Sequence, residues 1–480
     1  ELSRQHPLFE TLAELARSPV CQRIELQGLS ARETAEFAVA ASGGTASANL
    51  VDALHTRTEG HPLFLEEMLR YMISARAPHE GHAAIDDARL LTKVPTGVRE
   101  VIGRRLNRLS APAARLLSTA ACIGRSFDLP LLARLEADKS EDELLQALEE
   151  AMGEQIIEAV PDTQQFRFGH ALIRDALYDE MLGMRRARLH LRIGETLEQQ
   201  HGSDDGMVWS QLAYHFSEAG PGSAATKALA YARRAAGHAA RLLAFEEAAR
   251  LLRLALQLLD RHFPNDLVQR CDVLAALGDA ELWCAVPETA IASYRQAAEL
   301  ARQCGLSAQF ARAAIGFSSS STQAGQSGEA AVALLLEAIA LHQGNDAERV
   351  ELLSRLCVAY IYCDRSAEAR ESHRRAVELA RRIDDMRSLY LALSAIAAAG
   401  YWPELLGERI AAAAEAWAIA EELAMPERIP NLLAFYLCDL VRVGDVAALG
   451  RLRDQGLRLS AQWRAHYWLS LCRHIEVLVA

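Results

Sequence analysis

The chain has 480 residues, of which 51% are hydrophobic and 24% are charged, and its formal net charge is −12 at pH 7. This composition can bury sizeable cores, so it excludes a wholly disordered protein, and the length predicts about three domains. The acidic balance excludes a general nucleic-acid coat, because phosphate binding needs clustered positive charge.

The N-terminal part alternates helical and extended patterns. Residues 7–17 predict a short helix. In the segment 21–26, Ile24 and Leu26 alternate with Arg23 and Glu25 as in a half-buried strand. Ser30 is followed three positions later by Glu33, which is the spacing of a capping box. This spacing predicts that a helix begins at Ser30.

The segment TEGHPLFLEEMLRYM, residues 58–72, places a proline within a helical pattern. Proline has no amide hydrogen and clashes with the preceding turn, so a helix interior rarely tolerates it. Either Gly60 ends one helix and Pro62 opens the next, at the first position where proline fits, or the Gly-x-Pro turn is shaped to meet a ligand. This segment alone leaves both readings open. A polar, turn-rich stretch at 76–92 then predicts a boundary.

A series of helical patterns precedes the only good hairpin signal in the sequence. Ile157 and Val160 lie before a Pro-Asp turn, and Phe166 and Phe168 alternate with polar residues after it. Helices, a two-stranded wing and a further helix are the order of a winged-helix domain.

His170 opens the amphipathic helix that follows the second predicted strand. One interpretation makes it a helix-start residue packed between the wing and the helix. A histidine at this position can also donate a hydrogen bond to a phosphate, because a helix N-terminus already favours negative charge. The sequence pattern alone does not separate the two.

After about residue 184 the whole chain reads as helix, and one pattern recurs at spacings of 42, 41, 38 and 44 residues. Each set has an alanine, a bulky residue four positions on and a second alanine three further. The sets are Ala248/Leu252/Ala255, Ala290/Tyr294/Ala297, Ala331/Leu335/Ala338, Ala369/His373/Ala376 and Ala413/Trp417/Ala420. Small residues let two helices approach closely while the bulky residue fills the neighbouring groove, so the pattern predicts an α-solenoid of helix pairs that resemble tetratricopeptide repeats.

Motifs for catalysis are absent from the sequence. It contains no G-x-x-x-x-G-K-[ST] loop, and none of its three lysines lies in a glycine-rich loop. The segment HEGH at 79–82 offers two histidines without a third ligand, which favours solvated linker histidines over a zinc site. We therefore expect no catalytic and no metal-binding residues, and no ATP hydrolysis by these residues alone.

The order of these elements resembles the signal transduction ATPases with numerous domains (STAND), AAA+-related switches found in bacterial regulators and plant disease-resistance proteins. TEGHPLFLEEMLR is similar to the T-x-G-N-P-L-F segment of the bacterial members, with His61 where asparagine is common. GHALIRDAL resembles the plant M-H-D-L-V motif, but departs from it at Gly169 and Ala171. VPTGVREVIGRRLNRLS, AACIGRSFDLPLL and QLAYHFSEAG are similar to large LuxR-type transcriptional regulators.

The resemblance implies a mostly α chain with a defined order of domains. These are the end of an α/β nucleotide-binding core (1–28), a helical lid and linker (29–92), a winged-helix domain (93–183) and tetratricopeptide-like superhelical repeats (184–480). Gly60 would permit the turn that packs Pro62 on the adenine, and His170 would contact the ADP phosphate. ATP or ADP would bind with Mg through a P-loop core that the resemblance places upstream of residue 1, so that these residues form a C-terminal fragment.

Three functions fit this implied organisation. The first is a nucleotide-switched transcriptional regulator whose repeats bind an inducer or protein partner, which self-associates on activation and reaches DNA only through a domain outside these residues. The second is a repeat scaffold that binds a protein partner without nucleotide switching. The third is the same switch attached to a nucleotide cyclase or protein kinase.

The expected location is the cytoplasm. Nine cysteines lie in no C-x-x-C pair, as expected of free thiols in a reducing compartment. We expect no signal peptide, and no apolar stretch reaches the roughly 18 residues that span a bilayer, so no membrane contact is expected.

Overall fold

The computed structural model describes residues 28–42, 47–74, 102–103, 105–202, 206–284, 286–397, 402–423 and 429–463. The predicted helix at 7–17, the predicted strand at 21–26, the boundary at 76–92 and the histidines of the HEGH segment lie outside these residues. So does nearly all of the expected nucleotide-binding core.

The chain divides into two compact units, Glu1–Ala228 and Leu229–Ala480. The described residues are mostly helical, with one small sheet and a long series of helical repeats, which confirms the predicted fold class in this coarse form. The nucleotide-binding core, the winged helix and the division at residues 28, 92 and 183 stay predictions.

Three helices open the described part of the first unit, and we call them the helical trio: α1 (Ala31–Ser42), α2 (Ala48–Thr58) and α3 (Pro62–Ser74). The Ser30 N–H donates to Glu33 Oε2 at 2.8 Å and the Glu33 N–H donates to Ser30 Oγ at 3.3 Å, so the predicted capping box is confirmed. Apolar side chains of all three helices share one buried cluster. The trio is therefore held by its own small core.

A segment that contains the sheet follows, and we call residues 105–181 the sheet segment. Its elements are α4 (Ala111–Ile123), β1 (Ser126–Asp128), α5 (Leu129–Leu135), α6 (Glu141–Gly153), β2 (Ile157–Ala159), β3 (Gln165–Phe168) and α7 (Ala171–Glu180). The sheet is antiparallel with strand order β1-β3-β2, and it pairs Phe127 with Phe166 and Ile157 with Phe168. The predicted hairpin is thus present.

The prediction of a two-stranded wing was nevertheless incomplete, because a third strand, β1, pairs with the edge of β3 that β2 leaves free. This strand is only three residues long, which is too short for its alternation of polar and apolar residues to indicate a strand in the sequence. Phe127 supplies its one buried side chain. Pairing with β3, rather than local propensity, therefore makes Ser126–Asp128 a strand.

Helices α8 (Gly183–His201), α9 (Trp209–Glu218) and α10 (Ser223–Arg241) follow the sheet segment. The first unit ends within α10.

The second unit is a series of stacked helix pairs. Its elements are α11 (Phe245–His262), α12 (Leu267–Trp283), α13 (Pro287–Gln303), α14 (Ser307–Gln323), α15 (Glu329–Leu341), α16 (Asp346–Ile361), α17 (Ser366–Ile383), α18 (Met386–Ala397), a 3₁₀ turn (Pro403–Leu405), α19 (Leu406–Glu422), α20 (Ile429–Val443) and α21 (Val446–Trp463). Consecutive helices pack together, and α12, α14, α16 and α18 each also contact the second helix after them, up to α20. This arrangement is a helical-repeat fold.

The repeated alanines lie where the helices approach each other. All ten alanines of the five predicted sets are at most 2% exposed. The Tyr294 ring fills a groove between two glycines: a Cβ added at Gly278 would lie 2.7 Å from the ring, and one at Gly316 would lie 2.1 Å from it. Close helix packing around a bulky residue, which the pattern predicted, is thus confirmed in the repeats.

Candidate functional site

The turn between α2 and α3 requires glycine. Helix α2 ends at Thr58, and the backbone then passes through two left-handed residues, Glu59 at φ 49° and Gly60 at φ 68°. A Cβ at Gly60 would lie 1.9 Å from the carbonyl oxygen of Leu29, whose N–H donates to the Gly60 carbonyl at 2.8 Å. Both the positive φ and the close backbone approach explain this glycine.

Pro62 is the first residue of α3, where its missing N–H leaves no hydrogen bond unmade. The first reading of the proline pattern is thus confirmed as a structural fact. The turn also remains open to solvent, since His61 and Pro62 are exposed and Leu63 is 40% exposed. A flat ligand could therefore reach the proline ring without moving the backbone.

His170 caps the N-terminus of α7. Its Nδ1 accepts a hydrogen bond from the Leu172 N–H at 3.1 Å, and its Nε2 lies 2.7 Å from the carbonyl oxygen of Thr58. Since Nδ1 accepts, the Nε2–H must donate, and both ring nitrogens are used by backbone groups. The histidine thus joins the start of α7 to the last residue of α2.

The His170 ring is buried and neutral. Only 8% of the residue is exposed, and this burial lowers the pKa of His170 against the raising influence of the Thr58 carbonyl and the Glu59 carboxylate. Protonation would also place a hydrogen on Nδ1, where the Leu172 N–H already points. Burial therefore favours the neutral ring, and the hydrogen bonds select its Nε2–H tautomer.

Aromatic packing connects the turn to His170. The rings of His61 and Phe64 stack at 4.3 Å, and Phe64 meets the edge of His170 at 4.5 Å. Phe64 belongs to the buried cluster of the sheet segment rather than to that of the trio. One side chain from α3 is therefore inserted into the core of the neighbouring segment.

Two ion pairs flank this contact. Arg57 lies 3.1 Å from Asp175 of α7, and Arg125, which precedes β1, lies 2.5 Å from Glu59. All four side chains are partly exposed, so each pair stabilises the contact by about 1 kcal/mol at most. We call the whole arrangement around Thr58, Gly60, Pro62 and His170 the junction.

The junction brings together all three residues that the sequence singled out. Gly60 shapes the turn and Pro62 lies on its open side. His170 donates a hydrogen bond to the carbonyl of Thr58, which lies two positions before Gly60. The pairing spans 112 positions, so no local pattern could have predicted it. A nucleotide-binding role for these residues stays a prediction.

A second polar network, which the sequence reasoning missed, lies in the first unit. His215 Nδ1 is 2.9 Å from His190 Nδ1, His190 Nε2 is 3.0 Å from the Tyr178 hydroxyl, and Tyr178 donates to Glu218 at 3.2 Å. His190 is fully buried and His215 is 3% exposed. The network ties α7 to α8 and α9.

Two cationic side chains flank the ring of Tyr178, with Arg174 at 4.6 Å and Arg186 at 4.7 Å from its centroid. Burial is the main cause that lowers the pKa of His190 to about 4, and the positive charge of Arg174 is the second. Burial first, and then His190, lower the pKa of His215 to about 3. A histidine on the apolar face of an amphipathic helix was the only sequence signal for this network.

Among the residues that the structure describes, no group of three or more His, Cys, Asp or Glu side chains is placed to hold a metal ion. None of the described helices combines the length and the apolar character needed to cross a membrane.

Sequence comparison connects the chain to one curated protein. No protein family matches by sequence profile. An uncharacterised protein of Rhizobium meliloti (strain 1021) is 27% identical over 271 residues. The match covers 54% of this chain but only 25% of that protein.

Comparison with solved structures finds similar helical chains, of which three are described below. A STAND protein with a tetratricopeptide repeat sensor from Pyrococcus horikoshii has 12% identity and a TM-score of 0.42, over 95% of this chain and 70% of its own. A Rap protein complexed with competence and sporulation factor has 11% identity and a TM-score of 0.37, over 79% and 99%. Aspartyl phosphate phosphatase F from Bacillus subtilis has 12% identity and a TM-score of 0.38, over 81% and 94%.

Proposed function

We propose that this chain is the regulatory part of an ATP/ADP-switched signal-transduction protein of the STAND type, with transcription as its output. In this proposal the helical trio is the lid, the sheet segment is the winged helix, and the repeats bind an inducer or protein partner. The observation that carries the proposal is the hydrogen bond between His170 Nε2 and the Thr58 carbonyl, 2.7 Å long.

This hydrogen bond supports a switch because it puts a single donor at the place where lid and winged helix meet. Nε2 carries one hydrogen, which the Thr58 carbonyl accepts in this structure. A phosphate oxygen that accepts the same hydrogen must displace the carbonyl. Nucleotide and lid therefore compete for His170, which gives ADP and ATP a contact through which they can favour different arrangements.

The open side of the junction supplies the second part of the proposed site. The Pro62 ring and the neighbouring Leu63 are exposed. In the proposal they pack on the adenine, whose flat face buries apolar surface against the proline. Gly60 contributes only through the turn that positions Pro62.

The remaining chemistry lies outside these residues. The P-loop, the Walker B carboxylates and the Mg site would belong to the part of the nucleotide-binding core that the proposal places upstream of residue 1. Activation releases the lid and permits self-association in the cytoplasm, and DNA is read by a further domain. The repeats act as the sensor that biases the switch.

The test compares ADP release between two histidine variants. His170→Ala and His373→Ala are made in a longer polypeptide, in which residues 1–480 are extended by the residues that the gene encodes upstream of them. His373 is the matched control, since its Nδ1 also lies near a backbone carbonyl, that of Ala392 at 3.0 Å, but in the repeats.

We expect His170→Ala to release fluorescent ADP about tenfold faster or more, since it removes a hydrogen bond to a charged phosphate. Basal output should rise in the same variant, while His373→Ala should keep the wild-type release rate. Unchanged ADP release and unchanged basal output in His170→Ala would contradict the role of His170 in the switch.

A scaffold without nucleotide is the second candidate function. It is favoured by the fact that backbone groups already satisfy both nitrogens of His170, as a purely structural capping histidine requires. In that case the repeats bind a protein partner, and the junction only holds two segments together. Absence of nucleotide from the purified protein would support this scaffold.

A further inference from the structure

A cavity of about 450 Å³ lies at one edge of the repeats. Three successive connections between helix pairs line it: Ser327 precedes α15, Tyr362–Asp364 precede α17, and Trp402 precedes α19. The volume lies within the range of sites for small molecules. All of its lining belongs to the second unit.

The walls of this cavity are tightly packed. The Trp402 indole N–H donates to Asp364 Oδ1 at 2.8 Å, and Trp402 is only 8% exposed. At Gly328 an added Cβ would lie 2.1 Å from the Ala359 carbonyl oxygen and 2.9 Å from Cys363 Sγ. The connections are therefore held by specific contacts, and the cavity is formed before any ligand arrives.

Two carboxylates, Glu329 and Asp364, give the cavity a negative character. In the part of the chain that the structure describes, no arginine or lysine makes an ion pair with either of them. The nearest arginine in sequence, Arg365, instead pairs with Glu368 at 2.8 Å and lies over the Tyr360 ring at 4.7 Å. The pKa of Arg365 is raised first by its hydrogen bond to Glu368 and only last by the charge of Glu329, so Arg365 lies near Glu329 without forming an ion pair with it. Asp364 accepts the Trp402 N–H, a neutral donor that leaves its negative charge in place.

The Cys363 thiol in the cavity wall is affected by the negative charge of Glu329. Burial first, and then the Glu329 carboxylate, raise the pKa of the Cys363 thiol. Beside the carboxylates lie two aromatic rings, those of Trp402 and the 42% exposed Tyr362, with Ile361 as an apolar wall. Aromatic faces next to carboxylates are the surroundings that an organic cation prefers.

We propose that this cavity binds a small organic cation, an ammonium or guanidinium group on a short apolar body. The cationic head lies between Glu329 and Asp364, and the apolar body packs on the rings of Trp402 and Tyr362. Its role as the inducer rests on the proposed function, because only a switch has an inducer. The binding itself does not.

The test uses three probes of one shape and different charge: benzylamine, benzyl alcohol and benzoate. Binding is measured by ligand-observed NMR and calorimetry on the whole chain. The variant Glu329→Gln/Asp364→Asn removes both charges but keeps the shape of the cavity. Asparagine tolerates the φ of 57° at position 364, and its side-chain oxygen can still accept the Trp402 N–H.

The control variant Glu371→Gln/Glu378→Gln changes the net charge of the repeats by the same amount. Both of these carboxylates are exposed and lie on α17, where they pair with Arg374. The control variant therefore reports any general effect of the net charge of the repeats on benzylamine binding. Thermal unfolding of both variants checks that the repeats stay folded.

We expect benzylamine to bind in preference to benzyl alcohol and benzoate, and its affinity to fall about tenfold or more in the cavity variant but not in the control. No binding of benzylamine, no preference for it, or equal affinity in the cavity variant would each overturn the proposal. The nucleotide content of the same preparations is a separate readout, so amine binding without nucleotide would keep the cavity and reject the switch.

Discussion

At the scale of residues, three buried histidines of the first unit are held neutral by their surroundings. His170 is fixed in one tautomer by Leu172 and Thr58. His190 and His215 lie in a chain of hydrogen bonds that runs to Glu218. This chain requires a neutral His190, because its Nδ1 must accept from His215 if its Nε2–H donates to the Tyr178 hydroxyl. Burial lowers the pKa of all three.

These pKa values predict how stability depends on pH. In the unfolded chain the histidines titrate near pH 6.5, whereas in the folded chain the pKa of His190 is about 4 and that of His215 about 3. Between pH 6.5 and 4 the unfolded state therefore binds more protons, so the free energy of unfolding falls as the pH falls through this window.

We expect the variant His190→Gln/His215→Gln to flatten this pH dependence, because glutamine does not titrate. The measurement is the urea midpoint of α8 and α9 at pH 7 and pH 5, read from hydrogen-exchange labelling. His201→Gln, at an exposed histidine of the same unit, is the control and should keep the wild-type slope. A slope unchanged by the double substitution would show that the pair does not titrate as described.

At the scale of elements, close helix packing explains the repeats. Tyr294 is 1% exposed, its hydroxyl donates to Asp279, and its ring faces Gly278 and Gly316. The ring is thus held at both ends and cannot move aside easily. Close-packed interiors of this kind respond even to one added methyl group.

Gly316→Ala should lower the free energy of unfolding of the repeats by about 1–3 kcal/mol, since the new methyl group would overlap the Tyr294 ring. Gly237→Ala is the matched control: it lies in helix α10, and the nearest atom to its Cβ would be Arg241 Nη1 at 3.8 Å. There we expect stabilisation of up to about 1 kcal/mol from helix propensity. Urea unfolding of the repeats measures both, and equal effects would refute the packing account.

Local chemistry explains which elements could be predicted from the sequence. The capping box at Ser30, the helix start at Pro62 and the alanine sets each depend on residues a few positions apart. Strand β1 depends on β3, which is some 40 positions away, and so it carried no local signal. Helix starts and buried faces were therefore predictable, but the third strand was not.

At the scale of the whole molecule, the sequence singled out three residues that the structure brings together, but it did not show how they meet. Gly60 and Pro62 were visible because backbone rules restrict both residue types. His170 was visible only as a helix-start histidine, and its bond to Thr58 spans two segments. The His190–His215 pair and the cavity beside Trp402 were missed, since each forms from residues that only the packed helices bring together.

The central claim is that the junction belongs to a nucleotide switch. The most direct measurement is the nucleotide content of the longer polypeptide, in which residues 1–480 are extended by the residues that the gene encodes upstream of them. The purified protein is denatured, and the released ADP and ATP are quantified by chromatography. The proposal predicts near-stoichiometric ADP. A protein that releases neither nucleotide would contradict it, and Pro62 would then be only the first residue of α3 and His170 only the N-cap of α7.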